Sequence, residues 1–118
     1  MKQKTIFRTA AAAALAVPAT MAVAAVPMTV EQQMAQQEQA SIIKSPIGGI
    51  QNSHWFDYRT NVNETKKELA SDLRRATDLE DTRDAYGEFA HELKDNRQDY
   101  VKYMAKKGYR VPRVYFEN

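Results

Sequence analysis

His91 and Glu92 stand side by side, as in the first half of the zinc-binding motif H-E-x-x-H. In that motif two histidines one helical turn apart bind zinc, and the glutamate acts as a general base. Here Asp95 holds the place of the second histidine, and the only other histidine is His54. A metal site would therefore require the fold to bring His54 and His91 together, and the sequence predicts no metal ion and no cofactor.

Other residues that carry catalysis lack the neighbours they need. The chain has no cysteine, no serine within G-x-S-x-G, and no glycine-rich phosphate loop. The acidic residues between 78 and 84 have Arg74, Arg75 and Arg83 as neighbours and lack the register of a calcium-binding loop, which favours a salt-bridged, solvated helix junction. We therefore expect a protein that is not an enzyme.

The C-terminal end mixes cations with aromatic rings. That mixture suits contact with an anionic surface, such as phospholipid head groups or a polyanionic glycan. Two alternatives are an extended segment that adds to the edge of a partner's sheet, and a segment that folds back onto the core. The predicted contact residues are Lys102, Tyr103, Lys106, Lys107, Tyr109, Arg110, Arg113, Tyr115 and Phe116.

Residues 1–25 have the form of a secretory signal peptide. Three cations within the first eight residues precede an uncharged, alanine-rich run, and small residues offer cleavage near Ala24 or Ala25. An uncleaved membrane anchor is the alternative, but alanine is a weak membrane residue and Pro18 interrupts the run. We expect a periplasmic or secreted protein.

Removal of this leader changes the charge of the chain. The full sequence has 17 basic and 15 acidic residues, and three of the basic ones lie in the leader, so the mature chain has 14 basic against 15 acidic residues. Nucleic-acid binding loses its electrostatic support. Because an exported chain without cysteine has no disulfides, it must be stabilised by packing or by association.

The mature chain divides into three parts. Residues 26–52 are rich in glutamine and poor in apolar side chains, which predicts a flexible linker with at most a transient helix capped by Thr29. Pro46, Gly48 and Gly49 mark a break. Residues 53–108 carry apolar side chains at helical spacing, and residues 109–118 are expected to be an extended basic-aromatic tail.

The predicted fold class is all-α: a helical hairpin of two antiparallel amphipathic helices, about 54–76 and 78–107. Thr77 and Glu80 have the spacing of a capping box, and Lys107-Gly108 is a stop signal. Gly87 within the second helix suggests the close approach of a partner helix. One long rod is the alternative, because the apolar stripe continues without changing phase. The predicted inner stripe is Val62, Leu69, Leu73, Leu79, Tyr86, Phe89, Leu93 and Tyr100.

The leading hypothesis for function is a non-enzymatic exported helical protein that acts by self-association or by binding an envelope partner. A hairpin with so few large apolar residues would be only marginally stable alone, which favours a homo-oligomer or a docked complex. The alternatives are a small periplasmic stress chaperone or metal-responsive sensor, and a peripheral membrane- or glycan-binding protein that uses its C-terminal tail.

Overall fold

A computed structural model of the chain describes residues 27–116, and these are all-helical, as the sequence predicts. Three α-helices follow one another: α1 (Val30–Ala40), α2 (Ser53–Arg75) and α3 (Leu79–Lys106). Short 3-10 turns lie at Ile47–Gly49 and Arg113–Phe116. The predicted signal peptide lies outside the described residues. Within residues 27–116, no helix has both the length and the apolar character that crossing a bilayer requires.

Helices α2 and α3 pack side by side and run in opposite directions. The amide of Trp55 donates to the side chain of Asn52, which caps the start of α2. His54 at this end stacks on Tyr103 near the end of α3, whereas Thr65, further along α2, donates to Glu92. Because the numbers rise on one helix as they fall on the other, the pair is antiparallel.

The turn between α2 and α3 differs in detail from the predicted capping box. Asp78 is the capping residue, and its carboxylate accepts from the amide of Asp81. The amide and hydroxyl of Thr77 donate back to the carboxylate of Asp81, so the reciprocal pair is shifted by one residue from Thr77 and Glu80. A carboxylate at the cap is favoured because it faces the positive end of the helix dipole.

Helix α3 ends at the expected stop signal. Gly108 has a φ of 92°, a left-handed conformation that a side chain would strain. The amide of Gly108 donates to the carbonyl of Ala105, and that of Tyr109 donates to the carbonyl of Met104. These two bonds are those of a Schellman motif, which satisfies the last carbonyls of the helix.

The prediction of a flexible linker over residues 26–52 is wrong for the part that forms α1. Thr29 and Gln32 form a reciprocal capping box at its start: Thr29 accepts from the amide of Gln32, whose side chain accepts from the amide of Thr29. Ala35 is buried, so a small residue forms the contact face. The two large apolar residues of α1, Val30 and Met34, are 64% and 45% exposed, so they contribute little to its attachment.

Helix α1 runs parallel to α3 and is joined to it by two ion pairs. The guanidinium of Arg83 donates to Glu31 at 3.0 and 3.1 Å. Further along both helices, the guanidinium of Arg97 donates to Glu38. Gly87 faces the side chain of Glu31, so α1 is the neighbouring helix that this glycine suggested. The described chain is therefore a three-helix assembly.

Residues 41–52, which we call the strap, connect α1 to α2 along the surface of the bundle. Two buried tyrosines fix the strap: the amide of Ile43 donates to the hydroxyl of Tyr58, and that of Ile47 to the hydroxyl of Tyr100, both at 2.9 Å. The two rings stack on each other with centroids 4.9 Å apart. Burial raises the pKa of both phenols, so they remain neutral.

The core lies between the three helices and the strap. Of the predicted inner stripe, Leu69, Leu73 and Tyr86 are partly buried, but Leu79 is 66% exposed at the turn and does not belong to the core. It begins α3, where no third element of the described residues covers it. The buried cluster is Ala35, Ile43, Ile47, Trp55, Tyr58, Val62, Phe89, Leu93, Tyr100, Val101 and Met104.

The C-terminal tail is not extended over its described length. Residues 113–116 form a 3-10 turn, in which the amide of Tyr115 donates to the carbonyl of Pro112 at 3.0 Å. Val111 and Tyr115 pack against the core, whereas Val114 is 64% exposed. The segment is thus partly folded back, because burial of apolar surface offsets the cost of ordering it.

Candidate functional site

An acidic groove runs between α2 and α3 on the side away from α1. Two adjoining concavities of about 400 and 220 Å³ share Asn61 and Asn96, and together they form the groove. The α3 positions that line it lie nearly opposite those that meet α1. No lysine or arginine lines these two concavities. The carboxylates along it are Asp57, Glu64, Glu68, Glu92, Asp95 and Asp99.

The floor of the groove is a small polar network. Thr65 is only 5% exposed; its hydroxyl donates to Glu92 at 3.3 Å and accepts from the side chain of Asn96 at 3.4 Å. These bonds join α2 to α3 where an apolar contact would otherwise be expected. The middle of the groove is therefore held by hydrogen bonds, which fix the position of Glu92.

The pKa of Glu92 is raised above its ordinary value. Partial burial is the largest cause, and the negative charges of Glu68 and Glu88 add to it, whereas the hydrogen bond from Thr65 lowers it. The folded state therefore holds the proton of Glu92 more tightly than the unfolded state does. The free energy of unfolding consequently falls as the pH rises from the pKa of Glu92 in the unfolded state to its raised pKa in the folded state. It stays lower at higher pH.

Among residues 27–116, Glu68, Glu88 and Glu92 are an acidic group whose carboxylates lie close enough to share a cation. One carboxylate oxygen from each lies within 4.8 Å of those of the other two. An all-oxygen set of this kind suits a hard divalent cation such as Ca²⁺ or Mg²⁺. Two of the three side chains are exposed, and acidic groups of this kind also occur on protein surfaces with no ion bound.

The two histidines are not brought together. His54 stacks on Tyr103, with ring centroids 4.8 Å apart, at one end of the groove. His91 is exposed and lies 3.4 Å from Asp95, the residue that stands where a zinc motif would have histidine. Tyr103 lies twelve positions beyond His91, or about 18 Å along α3. A metal site built from both histidines is therefore not formed.

The predicted contact residues gather at the C-terminal end of α3. Lys102, Tyr103, Lys106, Lys107, Tyr109 and Arg110 are exposed, and we call these six residues the basic end. Tyr103 is 50% exposed and Tyr109 37%. Of the other predicted residues, Arg113 is exposed in the last turn and Tyr115 packs against the core; the side chain of Phe116 is not among those described.

The sign of the charge changes along a single face of α3. Glu92, Asp99 and Lys106 follow one another at intervals of seven residues, and Asp95 and Lys102 are also seven apart. Residues at this interval lie on the same face of an α-helix. The acidic groove and the basic end are therefore successive segments of one surface, with the change between Asp99 and Lys102.

Sequence reasoning identified the basic end but missed the acidic groove. The signal was present in the spacing of Asp57, Asn61, Glu64 and Glu68 on α2, which all point to one side of a helix. A matching series on α3 includes Glu92. Only the antiparallel pairing shows that these two series line the same groove.

No protein-family model, curated protein or solved structure matches this chain.

Proposed function

We propose that this is a non-enzymatic exported helical protein that acts by associating with itself or with an envelope partner. One observation supports the proposal most directly: a groove lined by six carboxylates adjoins a cluster of exposed cations on the same two-helix surface. Segregated charge of this kind steers association and determines which partners fit.

The openness of the groove favours binding over catalysis. Acid–base catalysis gains most from a concave site that excludes water, where the pKa values of paired groups are driven apart. The groove is instead lined mainly by polar atoms and hydrophilic side chains, such as Asn61, Glu64 and Asp95. Such a surface suits a hydrated protein contact.

The exported location is supported by the leader. Its three early cations, uncharged alanine-rich run and small residues near Ala24 have the order of a secretory signal. The absence of cysteine fits a protein whose fold does not depend on the redox state of its compartment. Amino-terminal sequencing of the exported product tests this part: a first residue near Ala25 is expected, and retention of Met1 would contradict it.

Site-specific photo-crosslinking tests the association. A benzophenone-bearing amino acid in place of Asn61 places the probe in the groove, and the same amino acid in place of Gln33, exposed on α1, is the matched control. In producing cells we expect adducts of discrete mass from position 61 and few from position 33. Absence of adducts from the groove, or equal adducts at both positions, would contradict the proposal.

A second candidate function is attachment to an anionic membrane surface through the basic end. The observation that favours it is the exposure of Tyr103 and Tyr109 beside lysines, since such rings settle at the level of lipid head groups. Lys106→Glu combined with Arg110→Glu is expected to abolish sedimentation with phosphatidylglycerol vesicles. The matched control, Lys66→Glu with Lys67→Glu on α2, should sediment normally; equal sedimentation of both variants would reject this function.

A further inference from the structure

The geometry points to a second copy of this chain as the partner: two copies pair antiparallel about a two-fold axis, each with its basic end against the acidic groove of the other. This inference rests on the proposed function, because it names the partner in the association. The axis lies opposite the step from Asp99 to Lys102, where the charge on α3 changes sign.

The position of the sign change selects the antiparallel arrangement. With the axis midway between positions 99 and 102, Lys102 of one copy faces Asp99 of the other, and Lys106 faces Asp95. Each contact then occurs twice, as two-fold symmetry requires. A parallel pairing would instead place Asp99 against Asp99 and Lys106 against Lys106, which is repulsive.

Within residues 27–116, α1 and the strap leave the α2–α3 face open to a second copy. Helix α1 and the strap cover the other side of the α2–α3 pair, where Glu38 meets Arg97 and Ile43 meets Tyr58. On the open side, the half-exposed ring of Tyr103 lies less than one helical turn from the axis and supplies apolar area near the centre of the interface.

A two-fold pair also uses both charged surfaces completely. In a head-to-tail chain of copies, the first and last members each leave one charged surface without a partner, and the assembly grows with concentration. In the closed pair, both basic ends and both grooves are occupied. We therefore expect a dimer and no larger species.

The contacts are exposed, so salt must weaken them. Ion pairs at a protein surface are individually weak. Mobile ions screen the attraction between exposed charges over a distance of about 8 Å at physiological ionic strength, and over a shorter distance at higher salt. The dissociation constant of the dimer is therefore expected to rise about tenfold or more between roughly 20 mM and roughly 500 mM salt. An apolar interface would tighten or stay unchanged over this range.

Charge-reversal variants of the mature protein provide the test, with mass measured by light scattering at low salt. Lys102→Glu with Lys106→Glu reverses the basic end, and Asp95→Lys with Asp99→Lys reverses the groove. Each variant alone is expected to be monomeric, because both of its surfaces then carry the same sign. Circular dichroism melting of each variant establishes that it remains folded.

Combining the two charge reversals distinguishes loss of charge pairing from loss of the folded structure. An equimolar mixture of the two variants is expected to form a heterodimer, and a single chain with all four substitutions should dimerise like the original protein. The control pair Lys66→Glu and Lys67→Glu, on another part of α2, should leave the dimer intact. Failure of the mixture and of the four-fold variant to dimerise, while both remain folded, would overturn the inference.

The outcomes also separate this inference from the proposed function. A wild-type chain that is monomeric at every concentration, or a dimer that ignores both reversals and salt, rejects pairing through these surfaces. Species that grow beyond the dimer reject the two-fold arrangement. If the chain is monomeric but position 61 still crosslinks to another protein, the proposed function stands and only self-pairing fails. If neither occurs, both are wrong.

Discussion

The ion pair between Glu38 and Arg97 gives a quantitative test of how α1 is attached. The side chains are only 12% and 4% exposed, so the guanidinium depends on the carboxylate rather than on water. Glu38→Gln leaves this cation buried without a counter-charge. Breaking a buried pair on one side costs about 3–5 kcal/mol, and the partial exposure of Glu38 places the expected loss at about 3 kcal/mol.

That loss is a large part of the stability of a chain of this size. Domains have about 0.05–0.15 kcal/mol of stability per residue, or roughly 5–13 kcal/mol for the described part. In urea, with a denaturant slope of about 1.5 kcal/mol per molar, the unfolding midpoint is expected to fall by about 2 M. The midpoint and the slope are read from the same circular dichroism titration.

The second ion pair of α1 is the matched control. Glu31 and Arg83 are joined by the same groups, but their side chains are 25% and 51% exposed. Glu31→Gln should therefore cost much less than Glu38→Gln, because solvent screens an exposed ion pair. Replacing both buried partners, Glu38→Leu with Arg97→Met, should recover most of the loss because no charge is then left alone. Equal costs for Glu38→Gln and Glu31→Gln would refute the burial of this pair.

Three further substitutions have defined outcomes in the same unfolding assay. Glu92→Gln should stabilise the protein by about 0.5 kcal/mol at pH 7, because it removes a carboxylate that is partly buried and repelled by neighbouring acids. The gain should vanish at a pH where Glu92 is protonated in both states, and a loss at pH 7 would contradict this. Gly87→Ala should add up to about 1 kcal/mol, since its Cβ would lie an ordinary 3.5 Å from Glu31 Cγ; destabilisation would show that α1 lies closer. Leu93→Ala should cost about 2–5 kcal/mol, whereas Leu79→Ala, at an exposed position, should cost less than about 0.5 kcal/mol; similar costs would refute the assigned burial.

Two of the three helices could be predicted because their signals are local. Apolar residues at helical spacing, such as Trp55, Val62 and Leu93, predict helices wherever the chain goes. The stop at Gly108 is likewise encoded by its immediate neighbours. The prediction that Leu79 belongs to the inner stripe was wrong, because periodicity identifies one face of a helix but not the point at which neighbouring elements stop covering that face.

The first helix was missed because its docking is not apolar. It attaches to α3 through the small residue Ala35 and through carboxylates that pair with arginines more than 50 positions away in sequence, such as Glu38 with Arg97. Composition alone describes such a segment as a polar linker. The capping box of Thr29 and Gln32 was the local sign of a stable helix.

The candidate site was predicted in part for a similar reason. The basic end is contiguous along the chain, so its composition shows it. The acidic groove is assembled from two helices, and its character depends on which sides of α2 and α3 face each other. A single charged residue such as Asp57 gives no indication of how the two helices pair.

Distances between spin labels on two copies test the antiparallel pairing most directly. Because the chain has no native cysteine, Glu88→Cys and Leu79→Cys each provide one labelling site per copy, and both positions are exposed. With the axis midway between positions 99 and 102, the separation grows by about 3 Å per residue from the axis.

In pulsed electron paramagnetic resonance at low salt, the antiparallel pair predicts distances of about 38 Å between labels at position 88 and about 65 Å between labels at position 79. High salt should abolish both distances. Short and nearly equal distances at the two positions, or no defined distance at low salt, would contradict the account.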